Sequence, residues 1–266
     1  MTDHPIRVYA HRGSSKTHPE NTMVAFEHAL EAGVTHLEMD VHVTRDHQVV
    51  VAHDAGGERM TGEPALLSES TLTEIKKWDA GFGFQDAQGD FPFRGKGLRI
   101  PTLTEVLTAF PDVRLNIDIK HHNPDIVSTV IEVVRRHDAT HRVLLSSFNP
   151  RMVQVIRRLG YEGMTGVSRT ELTMIMLIPR WFIPRSSIHG LALQIPRKWK
   201  RYYFDNRRLI EKVHYFGKRV DYWVINEVEA ALELLEMGAD GIMTDDPHLI
   251  LPPVREFAQT HNRVLD

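Results

Sequence analysis

Acidic residues alternate with apolar residues in two β-like segments of the sequence. Residues 37–41 read LEMDV, and residues 115–120 read LNIDIK. Because successive side chains of a strand point to opposite faces, Glu38 and Asp40 share one face of the first segment, and Asp118 lies on the corresponding face of the second. Three carboxylates without a sulfur ligand suit one hard divalent cation, Mg²⁺ or Ca²⁺, and the pattern predicts such a site.

The same carboxylates are also compatible with a structure that holds no metal. A strand with a solvated charged face would show the same alternation. If the face is buried, each carboxylate carries a desolvation cost of several kcal/mol unless a cation joins it. That cation can be Arg12 or Lys120 instead of a metal, and salt bridges and metal binding can also occur together.

Two histidines end predicted strands near these acids. His11 begins the tripeptide HRG, and His53 ends the run VVVAH before Asp54. Histidine titrates near neutral pH, so a pair can divide the work, with one accepting a proton from the nucleophile and the other donating to the leaving oxygen. The alternative for each is a structural hydrogen bond, and Asp54 is either the orienter of a histidine or a turn residue. Arg12 and Lys120 could neutralise phosphate oxygens.

These residues need a scaffold that brings several strand ends together. Short β-like runs alternate with helical patterns along nearly the whole chain of 266 residues. This alternation predicts an α/β fold, a TIM (β/α)8 barrel forming one domain over residues 1–266, although a doubly wound sheet would also alternate. The predicted strands are Arg7–His11, His36–Thr44, Leu115–Lys120, Val143–Phe148, Gly163–Ser168, Gly190–Pro196, Asp221–Asn226 and Gly241–Thr244.

Apolar residues at helical spacing predict helices between these strands. Residues 56–100 interrupt the alternation, are rich in glycine and polar residues, and contain one helical pattern at Leu72–Trp78. They are interpreted as a small insertion after the second strand unit. The other predicted helices are Thr22–Ala32, Asp125–His137, Pro150–Leu159, Asn206–Phe216 and Glu227–Met237.

The order of the motifs resembles that of the glycerophosphodiester phosphodiesterase family. Residues 11–61 contain HRG, PENT, E-x-D, a hairpin ending in HD, and R-x-T. IPTLTEVL, NIDIK, SSF at Ser146–Phe148, the strand at Trp223–Asn226 and GADGIMTDDP at Gly238–Pro247 follow. PENT alone would be a weak signal, but the ordered set covers nearly the whole chain.

The resemblance implies metal-dependent hydrolysis of a small glycerophosphodiester to glycerol 3-phosphate and an alcohol. Water attacks phosphorus directly, or the neighbouring glycerol hydroxyl attacks first and gives a cyclic phosphate that water then opens. The family commonly has Glu where this chain has Asp118. Trp223 matches a rim aromatic that packs near the substrate in the family, with core packing as the alternative. By resemblance, His11 and His53 are the acid–base pair, Glu38, Asp40 and Asp118 bind the metal, and Arg12 and Lys120 hold the phosphate.

Composition excludes several other classes of protein. A formal net charge of −3 provides no basic field for nucleic acid. The absence of cysteine excludes disulfide frameworks, thiolate catalysis and Cys-ligated metals, and fits a reducing compartment, so a cytoplasmic location is expected. No signal peptide and no apolar stretch long enough to span a membrane is apparent.

Two segments depart from the barrel pattern. Residues 174–184 read MIMLIPRWFIP, and residues 195–203 read IPRKWKRYY. One interpretation is a core-packed loop or short helix, followed by a solvated basic turn. The other places both segments at the barrel mouth, where they would accept an acyl chain or touch anionic lipid. The second interpretation predicts lysophospholipase D activity and weak peripheral membrane contact through residues 174–203.

Three competing classes fit the sequence less well. A phosphatidylinositol-specific phospholipase C also uses a histidine pair on a barrel, but the full acidic set favours a metal enzyme. A metal-dependent amidohydrolase would carry H-x-H in its first strand, where this chain has HRG. A non-catalytic binding barrel would require the loss of a catalytic group, and His11, His53, Glu38 and Asp40 are all present.

Overall fold

Eight parallel strands form a nearly closed barrel in the computed structural model, which describes residues 4–120 and 123–266. The strand order around the barrel is β5-β4-β3-β2-β1-β8-β7-β6, and a parallel bridge between Gly166 and Ala192 joins its two ends. The predicted TIM barrel is therefore confirmed, and the doubly wound sheet is not formed. The strands are β1 (Arg7–His11), β2 (His36–Val43), β3 (Arg114–Ile119), β4 (Val143–Ser146), β5 (Met164–Thr165), β6 (Ala192–Ile195), β7 (Arg219–Tyr222) and β8 (Gly241–Thr244).

A helix follows every barrel strand, as parallel neighbours require. Side-chain caps fix several helix starts: the Thr102 and Ser168 hydroxyls each accept from a backbone N–H three residues on, and a glutamate there bonds back to the cap. The helices are α1 (Met23–Glu31), α2 (Leu103–Ala109), α3 (Val127–Arg136), α4 (Pro150–Arg158), α5 (Arg169–Leu177), α6 (Arg207–Tyr215), α7 (Val228–Glu236) and α8 (Pro247–Thr260).

The predicted helices are confirmed with slightly shorter ends. The predicted helix Asp125–His137 begins with a 3₁₀ turn, Pro124–Ile126, and becomes α-helical at Val127. The Asn123 side chain caps this turn by accepting the backbone N–H of Asp125, and Pro124 occupies its first position. Helices α2, α5 and α8 were not predicted. A Pro-Pro pair inside α8 hides its pattern, although Pro247 and the Asp246 cap favour its start.

The insertion after β2 has its own small core. The strand Val49–Val51 pairs antiparallel with the end of β2, and a two-stranded ribbon joins Gly56–Gly57 to Glu63–Leu66. The short helices are Glu58–Thr61 and Leu72–Ile75, with a 3₁₀ turn at Leu67–Glu69. The buried residues of this core are Val50, Leu67, Ile75, Trp78, Ala80 and Ile100.

Polar side chains fill the barrel interior while apolar ones face the helices. Gln194 Nε2 donates to Asn116 Oδ1 at 3.1 Å, and this bond crosses the interior because β6 and β3 are not neighbours. The Tyr9 hydroxyl donates to Asp221 Oδ2 at 3.2 Å across β8. Glycine at position 241 permits this bond, since a Cβ there would clash with the Asp221 carboxylate. The barrel interior is therefore polar up to the strand ends, where the charged groups lie.

The apolar segment 174–184 lies at the end of the barrel away from the strand C-termini. It begins in the last turns of α5, which starts directly after β5 and therefore runs back toward the strand N-termini. Arg180 and Arg185 lie 4.9 and 4.8 Å from the ring centre of Tyr215, the last residue of α6 and close to the start of β7. Of the two interpretations of residues 174–184, the one that places them at the mouth is wrong, because α5 carries the chain away from the C-terminal end of β5.

The basic and aromatic segment does lie at the mouth. It follows the C-terminal end of β6 and forms a hairpin in which Lys198–Trp199 pairs with Tyr202–Tyr203. The Trp199 ring lies 5.7 Å from that of Phe148, which follows β4. No helix within residues 4–120 and 123–266 has both the length and the apolarity needed to cross a bilayer.

Candidate active site

His11, the last residue of β1, is held by a carboxylate that follows β8. Its Nδ1–H donates to Asp245 Oδ1 at 2.6 Å, and Ser15 Oγ donates to the same oxygen at 2.9 Å. Asn226 Nδ2 donates to the other oxygen at 2.8 Å. Burial lowers the pKa of His11, but the bond to Asp245 and the charge of Glu38 outweigh it and raise that pKa overall. His11 is thereby fixed with Nε2 facing the acids of β2.

Glu38 is the carboxylate beside His11. Its Oε2 lies 3.9 Å from His11 Nε2 and accepts the backbone N–H of Arg12 at 3.2 Å. Burial, and then the charge of Asp40, raise the pKa of Glu38 well above its ordinary value. This carboxylate therefore has less positive charge around it than an ionised group needs.

Asp40 has the opposite electrostatic balance. It pairs with Arg12 Nε at 3.0 Å and Lys120 Nζ at 3.2 Å, and it accepts from Asn21 Nδ2 at 3.1 Å. Burial would raise the pKa of Asp40, but Lys120 and Arg12 lower it overall. Lys120 Nζ also lies 2.7 Å from Asp118, which sits opposite Asp40 in the β2–β3 register. The salt bridges from Arg12 and Lys120 to these acids, which the sequence offers as an alternative to a metal, are therefore present.

A divalent cation fits the chemistry of these acids. The donors are carboxylate oxygens on adjacent strands, and the raised pKa of Glu38 marks a shortage of positive charge. In the part of the chain described, no three histidines or acids are arranged closely enough to hold a metal as they stand. Lys120 bridges two of the three predicted ligands, Asp40 and Asp118.

The second histidine belongs to a chain of hydrogen bonds and ion pairs that reaches back to β2. His53 lies two residues beyond its strand, which ends at Val51, and Nδ1 donates to Asp54 at 2.8 Å. Asp54 also accepts from Arg59 Nε at 2.5 Å, and Arg59 Nη2 donates to Glu20 at 2.6 Å. Glu20 in turn accepts from Arg12 at 3.2 Å. Burial raises the pKa of Asp54, but the bonds from Arg59 and His53 lower it overall.

An open cleft of about 600 Å³ leads to His11 from solvent. The barrel side of the cleft includes His11, Arg12 and Asp245, and residues 83–87 of the insertion form the facing wall. Trp223 follows β7 directly and is partly buried. It is not among the described residues that line this cleft. The other lining residues are Ser15, Lys16, Glu20, Arg59, Met60 and Asn226.

The residues that support the histidines could not be recognised from local sequence. Asp245 and Asn226 are more than 200 positions from His11, so no local spacing connects them, although Asp245 belongs to the TDDP motif. Glu20 and Arg59 belong to the PENT and R-x-T motifs, which carry the family resemblance. The family motifs therefore point to these supporting residues, whereas the spacing of residues along the sequence does not.

Residues 11–249 match the model of the Glycerophosphoryl diester phosphodiesterase family. The chain belongs to this family. A glycerophosphodiester phosphodiesterase from Caldanaerobacter subterraneus is 32% identical, with 94% of this chain and 98% of the relative covered. A lysophospholipase D from Homo sapiens is 32% identical, with 90% of this chain and 82% of the relative covered.

A solved structure has the same barrel fold. It is a phosphodiesterase from Oleispira antarctica in complex with the product sn-glycerol-3-phosphate, with a TM-score of 0.78 and 24% identity. The similarity covers 94% of this chain and 97% of that one. As a member of the family, the chain is an enzyme of the phosphoric diester hydrolase class.

Proposed function

We propose that this enzyme hydrolyses glycerophosphodiesters to glycerol 3-phosphate and an alcohol by metal-dependent catalysis with two histidines. The observation that carries the proposal is the position of His11, held by Asp245 at 2.6 Å and facing Glu38 at 3.9 Å at the base of an open cleft. The bacterial relative with the corresponding name covers nearly the whole chain. We expect the enzyme to act in the cytoplasm, since a chain without cysteine is suited to reducing conditions.

The side chains have the chemistry that the reaction requires. An oxygen nucleophile attacks phosphorus, the bond from phosphorus to the alcohol oxygen breaks, and the departing oxygen takes up a proton. His11 and His53 would act as the acid and the base, each oriented through Nδ1 by a carboxylate. Arg12 and Lys120 lie beside Asp40 as the cations that would contact the phosphate, and Trp223 would pack near the substrate.

Glu38, Asp40 and Asp118 would hold one Mg²⁺ or Ca²⁺. When bound, such an ion supplies positive charge to the non-bridging phosphate oxygens and polarises the attacking group. In the metal-free enzyme, Lys120 would balance the negative charge of Asp40 and Asp118, because buried carboxylates need a cation beside them.

Chelation is expected to stop the release of glycerol 3-phosphate from glycerophosphocholine by the purified enzyme. Restoring Mg²⁺ or Ca²⁺ should return it, because the carboxylates remain in place. The measurement is product formation over time with and without chelator. Full activity in chelator would contradict the metal requirement, and the absence of release with every metal, from folded protein, would contradict the proposed reaction.

Lysophospholipase D activity is the second candidate, and one surface feature favours it. An aromatic rim at the mouth consists of Phe148, Trp199, Tyr202 and Tyr203, which are 57%, 42%, 51% and 63% exposed. Such a rim could pack against the acyl chain of a lysophospholipid whose phosphodiester lies in the cleft. The human relative named lysophospholipase D is consistent with this candidate.

Replacing Trp199 with serine is expected to lower turnover of lysophosphatidylcholine by about tenfold, because an aromatic contact with the acyl chain is lost. Turnover of glycerophosphocholine, which has no acyl chain, should remain unchanged. The matched control is Leu159→Ser, which removes an apolar side chain of similar exposure directly after α4, outside the aromatic rim. Equal turnover of lysophosphatidylcholine by both variants, or none by the wild-type enzyme, would exclude the rim as an acyl-chain site.

A further inference from the structure

The strongest apolar surface feature lies at the barrel end opposite the cleft. Its residues, which we call the apolar knob, are Met176, Leu177, Ile178, Trp181 and Phe182. The side chains of Leu177, Trp181 and Phe182 are 76%, 72% and 72% exposed. Exposed apolar groups gathered in one place, unlike scattered ones, mark an interaction surface.

The fold holds the knob in a fixed position. Ile175 and Ile183 are buried on either side of it and anchor it to the main core. Pro179 precedes the 3₁₀ turn Arg180–Phe182 and fixes the backbone where α5 ends. With both flanks anchored, the apolar side chains between them are held outward instead of folding into the core.

Two arginines border the knob, and its own segment supplies no negative partner for them. Residues 172–188 contain Arg180 and Arg185 and no aspartate or glutamate, in a chain whose net charge is −3. Both guanidinium groups stack on Tyr215 beside the knob, so their positions are defined. An apolar, tryptophan-containing surface bordered by arginines is complementary to a bilayer with anionic headgroups.

The charges of Arg180 and Arg185 disfavour a second copy of the chain as the occupant. A two-fold dimer places the same patch on both sides of its interface. Arg180 and Arg185 would then approach their own copies, with no acid in residues 172–188 to pair with them. Apolar contact in such a dimer would be opposed by repulsion between like charges.

We propose that the apolar knob docks the enzyme on anionic phospholipid bilayers, with Trp181 and Phe182 in the interface and Arg180 and Arg185 at the headgroups. The cleft lies at the other end of the barrel, so the docked enzyme opens toward the aqueous phase. Water-soluble diesters could then reach His11 without leaving solution. Attachment through the apolar knob does not depend on the proposed reaction.

Sedimentation with vesicles tests the proposal. Wild-type protein is expected to bind vesicles of phosphatidylcholine with phosphatidylglycerol, and to bind pure phosphatidylcholine less well. Trp181→Ala with Phe182→Ala should lower the partition coefficient at least about tenfold. Arg180→Glu with Arg185→Glu should lower it comparably, whereas Lys77→Glu with Lys96→Glu changes net charge equally on exposed residues elsewhere and should have a much smaller effect.

Three results would overturn the proposal. The first is no binding of wild-type protein to the anionic vesicles. The second is loss of binding on Trp199→Ser with Tyr203→Ser but not on the knob substitutions, which would assign docking to the mouth. The third is a wild-type dimer in light scattering that becomes a monomer on Trp181→Ala with Phe182→Ala, which would make the knob a self-association surface. Circular dichroism of each variant confirms folding.

Discussion

Asp245→Asn is expected to lower kcat on glycerophosphocholine by about 10²–10⁴-fold, the range seen when an acid that orients a catalytic histidine is lost. Both Asp245 oxygens accept hydrogen bonds, one from His11 and Ser15 and the other from Asn226. An asparagine must turn its NH₂ group toward one of these donors. Either orientation breaks a bond, and His11 loses its fixed tautomer or its position.

The neighbouring acid offers a matched control. Asp246 accepts the backbone N–H of Leu249 as the N-cap of α8. Asparagine caps helices as well as aspartate does, so Asp246→Asn should leave kcat nearly unchanged. Steady-state kinetics of the two variants make the comparison. If Asp245→Asn retains kcat within about threefold of wild type, His11 does not depend on this carboxylate as the histidine of a Ser-His-Asp triad depends on its aspartate.

Glu38→Gln is expected to stabilise the metal-free protein while abolishing its response to metal. Burial raises the pKa of Glu38, so the stability it contributes is present below its unfolded pKa and is lost as pH rises through the folded value. Glutamine has no charge to bury. In chelator, the free energy of unfolding of the variant should exceed that of wild type by on the order of 2 kcal/mol at pH 8, with a much smaller difference at pH 5.

Metal should stabilise the wild-type protein but not the Glu38→Gln variant. An ion that binds only the folded state raises its stability, so the wild-type Tm should rise with Mg²⁺ or Ca²⁺. The Tm of Glu38→Gln should not, because one ligand is missing. Thermal unfolding with chelator and with each metal, at both pH values, provides the measurement.

Asp40→Asn is the contrasting variant at the same site. Arg12 and Lys120 both pair with Asp40, and its removal leaves two cations beside a neutral amide. We expect the metal-free protein to be destabilised by about 2 kcal/mol, opposite in sign to Glu38→Gln. The same sign for both variants, measured by denaturant unfolding in chelator, would mean that the two acids of β2 do not differ in their charge balance.

Much of the barrel and of the acidic face followed from the sequence because both depend on local periodicity. Alternation within β2 and β3 places Glu38, Asp40 and Asp118 on the interior face, and the strand register sets Asp40 opposite Asp118. His11 ends β1 as predicted. These features need no knowledge of distant contacts, since a strand determines the faces of its own residues.

What the sequence did not predict depends on contacts between distant positions or on one missed helix. Asp245 reaches His11 only when the barrel closes β8 against β1. The interpretation that places residues 174–184 at the mouth is wrong because it overlooks α5. Glu171 and Ile175 are the buried residues of that helix, so its apolar pattern is weak. Without that helix, the segment would follow β5 directly and lie at the mouth.

The hydrogen bonds from His53 through Asp54 and Arg59 to Glu20 constrain how the substrate range of this enzyme could be engineered. The insertion presents a wall to the cleft at residues 83–87, which invites replacement by loops from relatives with other preferences. A graft that begins at Asp54 would replace the wall, but it would also remove Asp54 and Arg59. His53 would then lose the carboxylate that holds its ring. A graft confined to residues 83–87 keeps that support, so the wall is exchangeable and the start of the insertion is not.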